Sequence, residues 1–130
     1  MNSNYKVTIE YSAKELTAKE KIQLKDITDS YSLDSLTQES ENKSVIIIVS
    51  NVVVLNVHNE KAENTNYSKL VIIDNEGNKF TSSSNSLTEK VCDIIDDLKD
   101  IDYTDDITLK IYRKDSKNFK GKQFLTCSLM

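Results

Sequence analysis

The sequence predicts a mainly β domain with one amphipathic helix, and three observations support this prediction. Apolar and polar residues alternate with a period of two near both ends of the chain, at residues 5–11 and 107–112. Between them, residues 44–57 are dense in Val and Ile, which favour strands. Residues 86–99 place apolar side chains at the three- and four-residue spacing of a helix. With 130 residues, no Pro and two Gly, the chain is expected to form a single domain over residues 1–130.

The first third of the chain is predicted to hold one strand, a short ambiguous segment and a long connection. The alternation over residues 5–11 indicates an N-terminal strand. Residues 12–29 favour a short helical turn followed by a strand that holds Ile22 and Leu24, with Ile27 as a further candidate. Residues 30–43 are polar apart from two anchors, and they are expected to form a long connection. The anchors are Leu33 and Leu36.

The middle of the chain is predicted to be a long bent strand followed by a hairpin. Residues 44–57 form the long strand, with an interruption expected at residues 50–51. After a polar loop, residues 67–74 form the next strand. A turn follows in which Gly77 can adopt a positive φ, and the strand resumes at residues 79–81.

The last third is predicted to be a helix and two strands. The helix covers residues 86–99, where Ser86 and Glu89 have the spacing of a capping box. Strands follow at residues 107–113 and 124–129. The resulting order is five strands with one helix between the third and the fourth, plus an N-terminal strand. This is the order of a five-stranded OB-fold barrel.

Charge is distributed unevenly along the chain. The formal net charge is −4, yet residues 106–130 carry six Lys or Arg against two Asp, so the C-terminal end is basic and the remainder acidic. The longest apolar runs are much shorter than the roughly 20 residues that cross a bilayer. Cys92 lies in a helical pattern and Cys127 in a strand pattern, which argues for free thiols in a reducing compartment. We expect a soluble cytoplasmic protein with no cofactor and no membrane partner.

The C-terminal motif resembles a known group of small binding proteins. Residues 116–128, Ser-Lys-Asn-Phe-Lys-Gly-Lys-Gln-Phe-Leu-Thr-Cys-Ser, and Ile-Tyr-Arg at residues 111–113 are similar to single-stranded-DNA-binding proteins of phages and prophages of Gram-positive bacteria. Shorter similarities occur at residues 16–20, 57–61 and 72–77. The resemblance implies an OB-fold that coats single-stranded DNA during replication or recombination in the host cytoplasm, without catalysis. Phage or host replication proteins are the protein partners that it implies.

The basic C-terminal segment has the chemistry of a single-strand interface, because cations can follow phosphates while aromatic rings stack on bases of any sequence. Lys110 and Tyr112 share one face of a predicted strand, and Phe119 lies between lysines in a loop that commonly borders an OB-fold cleft. Tyr67 and Phe80 could extend this track. The alternative is a solvated basic hairpin whose rings belong to the core. The candidate site residues are Lys110, Tyr112, Arg113, Lys117, Phe119, Lys120 and Lys122, and Lys114 and Phe124 belong to the same basic and aromatic cluster.

The acidic residues of the chain suggest a second function. Their simplest interpretation is a solvated helix face, since the spacing does not match a calcium-binding loop and no metal is expected. The functional alternative is an acidic mimic of DNA, or a protein-binding inhibitor, that occupies a host defence or repair protein. The patch consists of Asp93, Asp96, Asp97, Asp100, Asp102, Asp105 and Asp106.

Catalysis is not expected from the sequence. The chain has one His, His58, and it has no GxSxG motif, phosphate-binding loop, dinucleotide fingerprint or zinc-ligand spacing. Cys92 and Cys127 are both expected to face the core. The exposed edge expected of the N-terminal strand would allow two chains to pair as a homodimer.

Overall fold

The structure, a computed structural model, describes residues 5–26, 29–39, 44–60, 66–103, 105–116 and 121–130. These residues form a mainly β fold of seven strands and three helices. In chain order the elements are β1 (Tyr5–Ser12), α1 (Ala18–Gln23), β2 (Tyr31–Ser32), α2 (Leu33–Glu39), β3 (Ser44–Asn59), β4 (Asn66–Asp74), β5 (Lys79–Ser82), α3 (Asn85–Asp100), β6 (Ile107–Asp115) and β7 (Gln123–Leu129).

All seven strands belong to one sheet, which curls into a half-barrel. Its order is β2-β5-β4-β3-β6-β7, and β1 pairs with β3. The 16-residue strand β3 is long enough to have different neighbours along one edge. Its first part, Ser44–Val49, pairs with β6, and its last part, from Val53 to Asn59, pairs with β1. The other edge of β3 pairs with β4.

A β-bulge divides β3 and exchanges the faces of its side chains. The register with β4 shifts between Val49 and Asn51, at the interruption that the sequence predicts. Ile47 before the bulge and Val52 after it therefore contribute to the same core, although they are five residues apart. The Asn51 side chain holds the bulge, because its Oδ1 accepts hydrogen bonds from the backbone N–H of Val52 (2.8 Å) and of Lys14 (3.0 Å).

The larger core lies on the inner face of the sheet, under α3. The predicted helix over residues 86–99 is confirmed, but its N-cap is Ser84, whose Oγ accepts a hydrogen bond from the backbone N–H of Leu87 (3.2 Å). Ser86 instead donates to the backbone oxygen of Leu125 (3.3 Å), so the predicted capping box is wrong. The buried residues of α3 are Leu87, Val91, Ile95 and Leu98.

The smaller core lies on the outer face and is covered by the segment around α1. Thr17 caps α1 in a reciprocal capping box with Glu20, so the chain continues as helix through Gln23 and the predicted strand there is wrong. Ile22 points to solvent with 69% of its surface exposed, and Ile27 lies outside the described residues. The buried residues of this core are Val7, Leu16, Leu24, Val53, Leu55, Val57 and Val71.

The predicted long connection at residues 30–43 is instead structured over most of its described part. It contains β2, which pairs in parallel with β5, and the seven-residue α2. Leu33 begins α2 and is fully buried in the inner core, because α2 packs against β3, β5 and β6. Residues 40–43 of this prediction lie outside the described part of the chain.

The predicted fold class is right as mainly β, while the number of elements differs from the prediction. The N-terminal strand, the long strand, the hairpin after it, the helix and the last two strands all appear in the predicted order. The short helical turn predicted within residues 12–29 is present as α1. The additional elements are β2 and α2, which are too short to give a clear periodic signal.

Candidate nucleic-acid interface

The alternation of side chains on β6 separates core residues from surface residues. Leu109 and Ile111 are fully buried against the inner core, while Lys110 is exposed and Tyr112 is half-buried on the opposite face. The Lys110 Nζ lies 5.7 Å from the centroid of the Tyr112 ring. The predicted placement of a cation and a ring on one face of this strand is therefore present.

The neighbouring strands add further side chains to the same surface. Lys114 of β6 lies opposite Phe124 of β7, and Lys110 lies opposite Ile46 of β3. Ile46, Ile48 and Phe124 expose 59%, 44% and 38% of their surfaces. We call this surface the outer hairpin face, and it consists of Ile46, Ile48, Lys110, Tyr112, Lys114 and Phe124.

The outer hairpin face is exposed because the outer core ends near the bulge of β3. Beyond the bulge, outward residues such as Val53 and Leu55 are buried with Leu16 and Leu24 of the α1 segment. Before the bulge, the equivalent positions Ile46 and Ile48 are exposed. The outward apolar residues of β3 thus form one stripe, which the α1 segment covers after the bulge and leaves exposed before it.

A shallow groove follows β7 next to this face. It has a volume of about 410 Å³. Tyr112, Lys114 and Phe124 line it from the outer face, and Lys90 and Ile94 line it from α3. The two charged residues of its lining are both lysines, so the groove offers cations beside aromatic surface.

Arg113 is a predicted site residue that the structure uses inside the protein. It lies on the same side of β6 as Leu109 and Ile111, and only 14% of its side chain is exposed. Its Nε donates to Thr37 Oγ1 (3.0 Å), and its Nη2 donates to the backbone oxygen of Asp34 (3.1 Å). Arg113 thus fastens α2 to β6 and does not extend the outer hairpin face.

The remaining predicted site residues fall between β6 and β7 in the sequence. Lys117, Phe119 and Lys120 lie outside the described residues. Lys122 is exposed next to Gly121, whose φ of +82° is the left-handed conformation that a turn requires. The backbone N–H of Ser116 donates to the Lys122 oxygen (2.9 Å), which closes the base of the turn.

The predicted extension of the binding surface to Tyr67 of β4 and Phe80 of β5 is not present in the structure. Tyr67 packs against the outer core, and Phe80 packs against the inner core. The Phe80 ring also stacks on Tyr31, with 5.5 Å between the ring centroids. Both rings are therefore structural.

Sequence reasoning left four members of the outer hairpin face outside the candidate set. Lys114 has the same parity as Lys110 and Tyr112, so the alternation alone could have included it. Phe124 required the hairpin register, which the sequence does not give. Ile46 and Ile48 appear in the sequence as ordinary members of an apolar run, and the absence of a cover over them depends on the bulge.

The acidic patch occupies a different part of the molecule. Its members on α3 and in the following loop are exposed, and no ion pair to them is found within the described ranges. Asp96 accepts a hydrogen bond from the Tyr11 hydroxyl (3.1 Å), and Lys99 lies 5.7 Å from the Tyr11 ring centroid. Burial and Asp96 raise the Tyr11 pKa well above its usual value. Within the described residues, no group of three His, Cys, Asp or Glu side chains could hold a metal ion.

The two cysteines are wholly or partly buried, and the histidine contacts a neighbouring strand. Burial raises the pKa of the Cys127 thiol to about 11, so it is protonated at neutral pH. Cys92 is half-buried, and burial together with Asp96 and Asp93 raises its pKa as well. His58 Nδ1 lies 2.8 Å from Asn66 Oδ1, across the β3–β4 pair.

No helix among the described residues is long and apolar enough to span a membrane.

The comparisons with known proteins found no relative. No family model, curated protein or solved structure matches the chain.

Proposed function

We propose that this protein binds single-stranded DNA without sequence preference, on the outer hairpin face, and that its role is coating rather than catalysis. The observation that carries the proposal is the grouping of Lys110, Tyr112, Lys114 and Phe124 on one exposed two-strand surface. Rings of this kind can stack on any base while neighbouring cations contact phosphates. Ile46 and Ile48 supply apolar surface for the sugars and the base edges.

The net negative charge of the chain is compatible with this proposal, because screening makes binding depend on local charge. The Debye length is about 10 Å at 0.1 M salt. The acidic residues of α3 lie on a helix that packs against the inner face of the sheet, whereas Lys110 and Lys114 are on the outer face. A phosphate at the outer hairpin face therefore meets mainly lysines.

We also propose that β3 to β7 form an open OB-type barrel. The order of three strands, a helix and two strands supports it. So does β3, which pairs with β4 along one part and with β6 along another, with a bulge between them. In OB-folds, strand faces and the loops beside them bind single strands. The outer hairpin face belongs to such a region, and the predicted site residues Lys117, Phe119 and Lys120 fall between β6 and β7 in the sequence.

The experiment that tests the proposal is fluorescence anisotropy of a labelled oligo-dT, with a matched duplex as the comparison, at low and moderate salt. We expect salt-sensitive binding to the single strand and much weaker binding to the duplex. Lys114→Glu should weaken binding strongly, whereas the matched control Lys19→Glu, at an exposed position of α1, should not. Equal losses for the two variants, or no binding of oligo-dT at low salt, would reject the outer hairpin face as the site.

The acidic patch supports a second candidate function, an inhibitor that presents carboxylates to a DNA-binding protein of the host. The observation that favours it is the run of exposed Asp residues from α3 into the next loop. Reversing the charge at Asp96, Asp97 and Asp100 should abolish capture of such a protein from a host extract. The same change should leave oligo-dT binding intact or improve it, so the two functions are separable.

A further inference from the structure

Helix α3 lies along β7, at the border of the outer hairpin face. The Ser86 hydroxyl donates a hydrogen bond to the Leu125 backbone oxygen (3.3 Å), which fixes this side of α3 against the strand. Residues four apart on a helix lie one above the other. Lys90 and Ile94, about one and two turns after Ser86, therefore follow the same strand, and both line the groove beside it.

The Lys90 side chain is exposed, and its charge acts on β7. Burial raises the pKa of the Cys127 thiol to about 11, while the Lys90 charge acts in the opposite direction. Such an effect of a charge on a thiol falls off within about 10 Å, because salt screens it. Lys90 therefore places a cation beside β7, and no carboxylate among the described residues forms an ion pair with it.

The groove beside β7 is continuous with the outer hairpin face. Tyr112, Lys114 and Phe124 belong to that face and also line the groove, which has a volume of about 410 Å³. The charged residues of the lining are Lys114, from the outer face, and Lys90, from α3. A polyanion on the outer hairpin face thus meets a further cation if it turns over β7 toward α3.

We propose that a single strand bound to the outer hairpin face continues over β7 into this groove, where Lys90 contacts a phosphate. The inference rests on the proposed function and extends its site to α3. Ile94 and the aliphatic part of the Lys90 side chain supply apolar contact for the sugar. Lys90 is therefore a binding residue that lies outside the basic C-terminal segment of the sequence.

This path favours single strands over duplex DNA. A duplex has a persistence length of about 50 nm, so it resists bending around one β-strand. Neighbouring strands of a sheet are only about 4.8 Å apart, and a path from Lys114 over β7 to Lys90 turns within a few such spacings. A flexible single strand can follow this turn, whereas a duplex on the outer hairpin face does not reach Lys90.

The first test compares Lys90→Gln with Lys99→Gln, which removes the same charge from the same helix. Lys99 lies 5.7 Å from the ring centroid of Tyr11 on β1, and it does not line the groove beside β7. At about 0.1 M salt, Lys90→Gln should bind oligo-dT about fivefold more weakly than the wild type in anisotropy. The reason is that one phosphate contact contributes about 0.7 to the salt slope, over the decade between about 0.1 M and 1 M. Lys99→Gln should bind as the wild type does, and Lys90→Arg should retain the affinity.

The second test is the affinity for a matched duplex at low salt. Lys90→Gln should leave this affinity unchanged, whereas Lys114→Gln, on the outer hairpin face, should lower the affinities for both duplex and single strand. Urea midpoints of these variants should match the wild type, since the substituted side chains are exposed.

Two results would overturn the path over β7 while leaving the proposed function in place. One is equal affinity of Lys90→Gln and Lys99→Gln for oligo-dT, when the wild type binds it. The other is an equal loss of single-strand and duplex binding in Lys90→Gln. A wild type that does not bind oligo-dT at low salt would reject the proposed function and the path with it.

Discussion

Two neighbouring residues of β6, Tyr112 and Arg113, have opposite roles because successive side chains of a strand point to opposite faces. Tyr112 lies on the outer hairpin face beside Lys110. Arg113 lies on the inner side and donates to Thr37, which is fully buried, and to the Asp34 carbonyl. Substitutions at these two positions should therefore separate binding from stability.

Arg113→Ala should lower the free energy of unfolding by about 1–3 kcal/mol, because Thr37 Oγ1 and the Asp34 carbonyl lose their donor. Its affinity for oligo-dT should stay close to that of the wild type. Urea denaturation and anisotropy of the same preparation measure the two quantities. A loss of affinity with unchanged stability would show that Arg113 contacts DNA.

Tyr112→Ala should show the opposite result. Loss of one stacking ring should weaken oligo-dT binding by about 1–3 kcal/mol, with a smaller effect on the urea midpoint. Tyr103→Ala, in the loop after α3, is the control because that ring lies near the acidic patch. If Tyr112→Ala collapses the unfolding transition, the ring is a core residue.

Cys127 should make stability depend on alkaline pH. Its pKa is about 11 in the folded protein and 9.0 for the unperturbed thiol, so the unfolded chain loses this proton first. Below pH 9 the thiol is protonated in both states, so it does not change the free energy of unfolding. As the pH rises from 9 toward 11, only the unfolded thiol ionises, and the free energy of unfolding falls by about 2 kcal/mol. The urea midpoint of the wild type should fall between pH 8 and 11 relative to that of Cys127→Val, which has no thiol to titrate. Parallel curves would contradict this linkage.

At the scale of the elements, the start of α3 and the bulge of β3 decide where the site lies. Ser84 begins α3 and sets the helix phase that buries Leu87 and Val91 against the inner face. After the bulge, the outward side chains of β3 are covered by the α1 segment. Before the bulge, the outward side chains Ile46 and Ile48 are exposed. Each feature depends on one polar side chain that accepts a hydrogen bond from a backbone N–H group, Ser84 at the start of α3 and Asn51 at the bulge.

Ser84→Ala should reduce the free energy of unfolding by about 1 kcal/mol, the usual cost of losing an N-cap. Ser86→Ala removes the hydrogen bond to Leu125 O at the β7 edge and the contact between the Ser86 and Ser84 hydroxyls, but it leaves the cap itself in place, so its effect should be smaller. Comparison of the two variants by urea denaturation tests the placement of the cap. A larger effect for Ser86→Ala would place the cap where the sequence predicts it.

At the scale of the whole molecule, opposite charges are segregated on different elements. Exposed Asp side chains follow α3 and the next loop, while Lys110, Lys114 and Lys122 lie on the C-terminal hairpin. If four or five cations contact phosphates, the logarithm of the oligo-dT binding constant should fall with the logarithm of salt concentration with a slope of roughly −3.

The salt dependence of oligo-dT binding shows which side chains contact phosphates when one group of charges is changed at a time. Lys110→Gln with Lys114→Gln should make the slope shallower by about 1.4, since each phosphate contact contributes about 0.7. Asp97→Asn with Asp100→Asn is the control and should leave the slope unchanged. Equal changes for both pairs would mean that total charge, rather than the outer hairpin face, governs binding.

The elements that carry a long periodic signal could be predicted from the sequence. The alternation in β6 placed Lys110 and Tyr112 on one face, and the helical spacing located α3 to within one residue at each end. These patterns are local, because a side chain's face follows from the period of its own strand or helix. The mainly β class and the order of the long elements follow from the same signals.

Tertiary structure alone decided which residues from different elements meet. The β6–β7 register brought Phe124 beside Lys114, and the bulge determined which half of the apolar stripe on β3 is covered. The same long-range packing brings Arg113 into contact with α2 and orders the segment that the sequence predicts to be a long connection. Register, bulges and short helices depend on contacts between distant parts of the chain, and the periodicity of one segment carries no information about them.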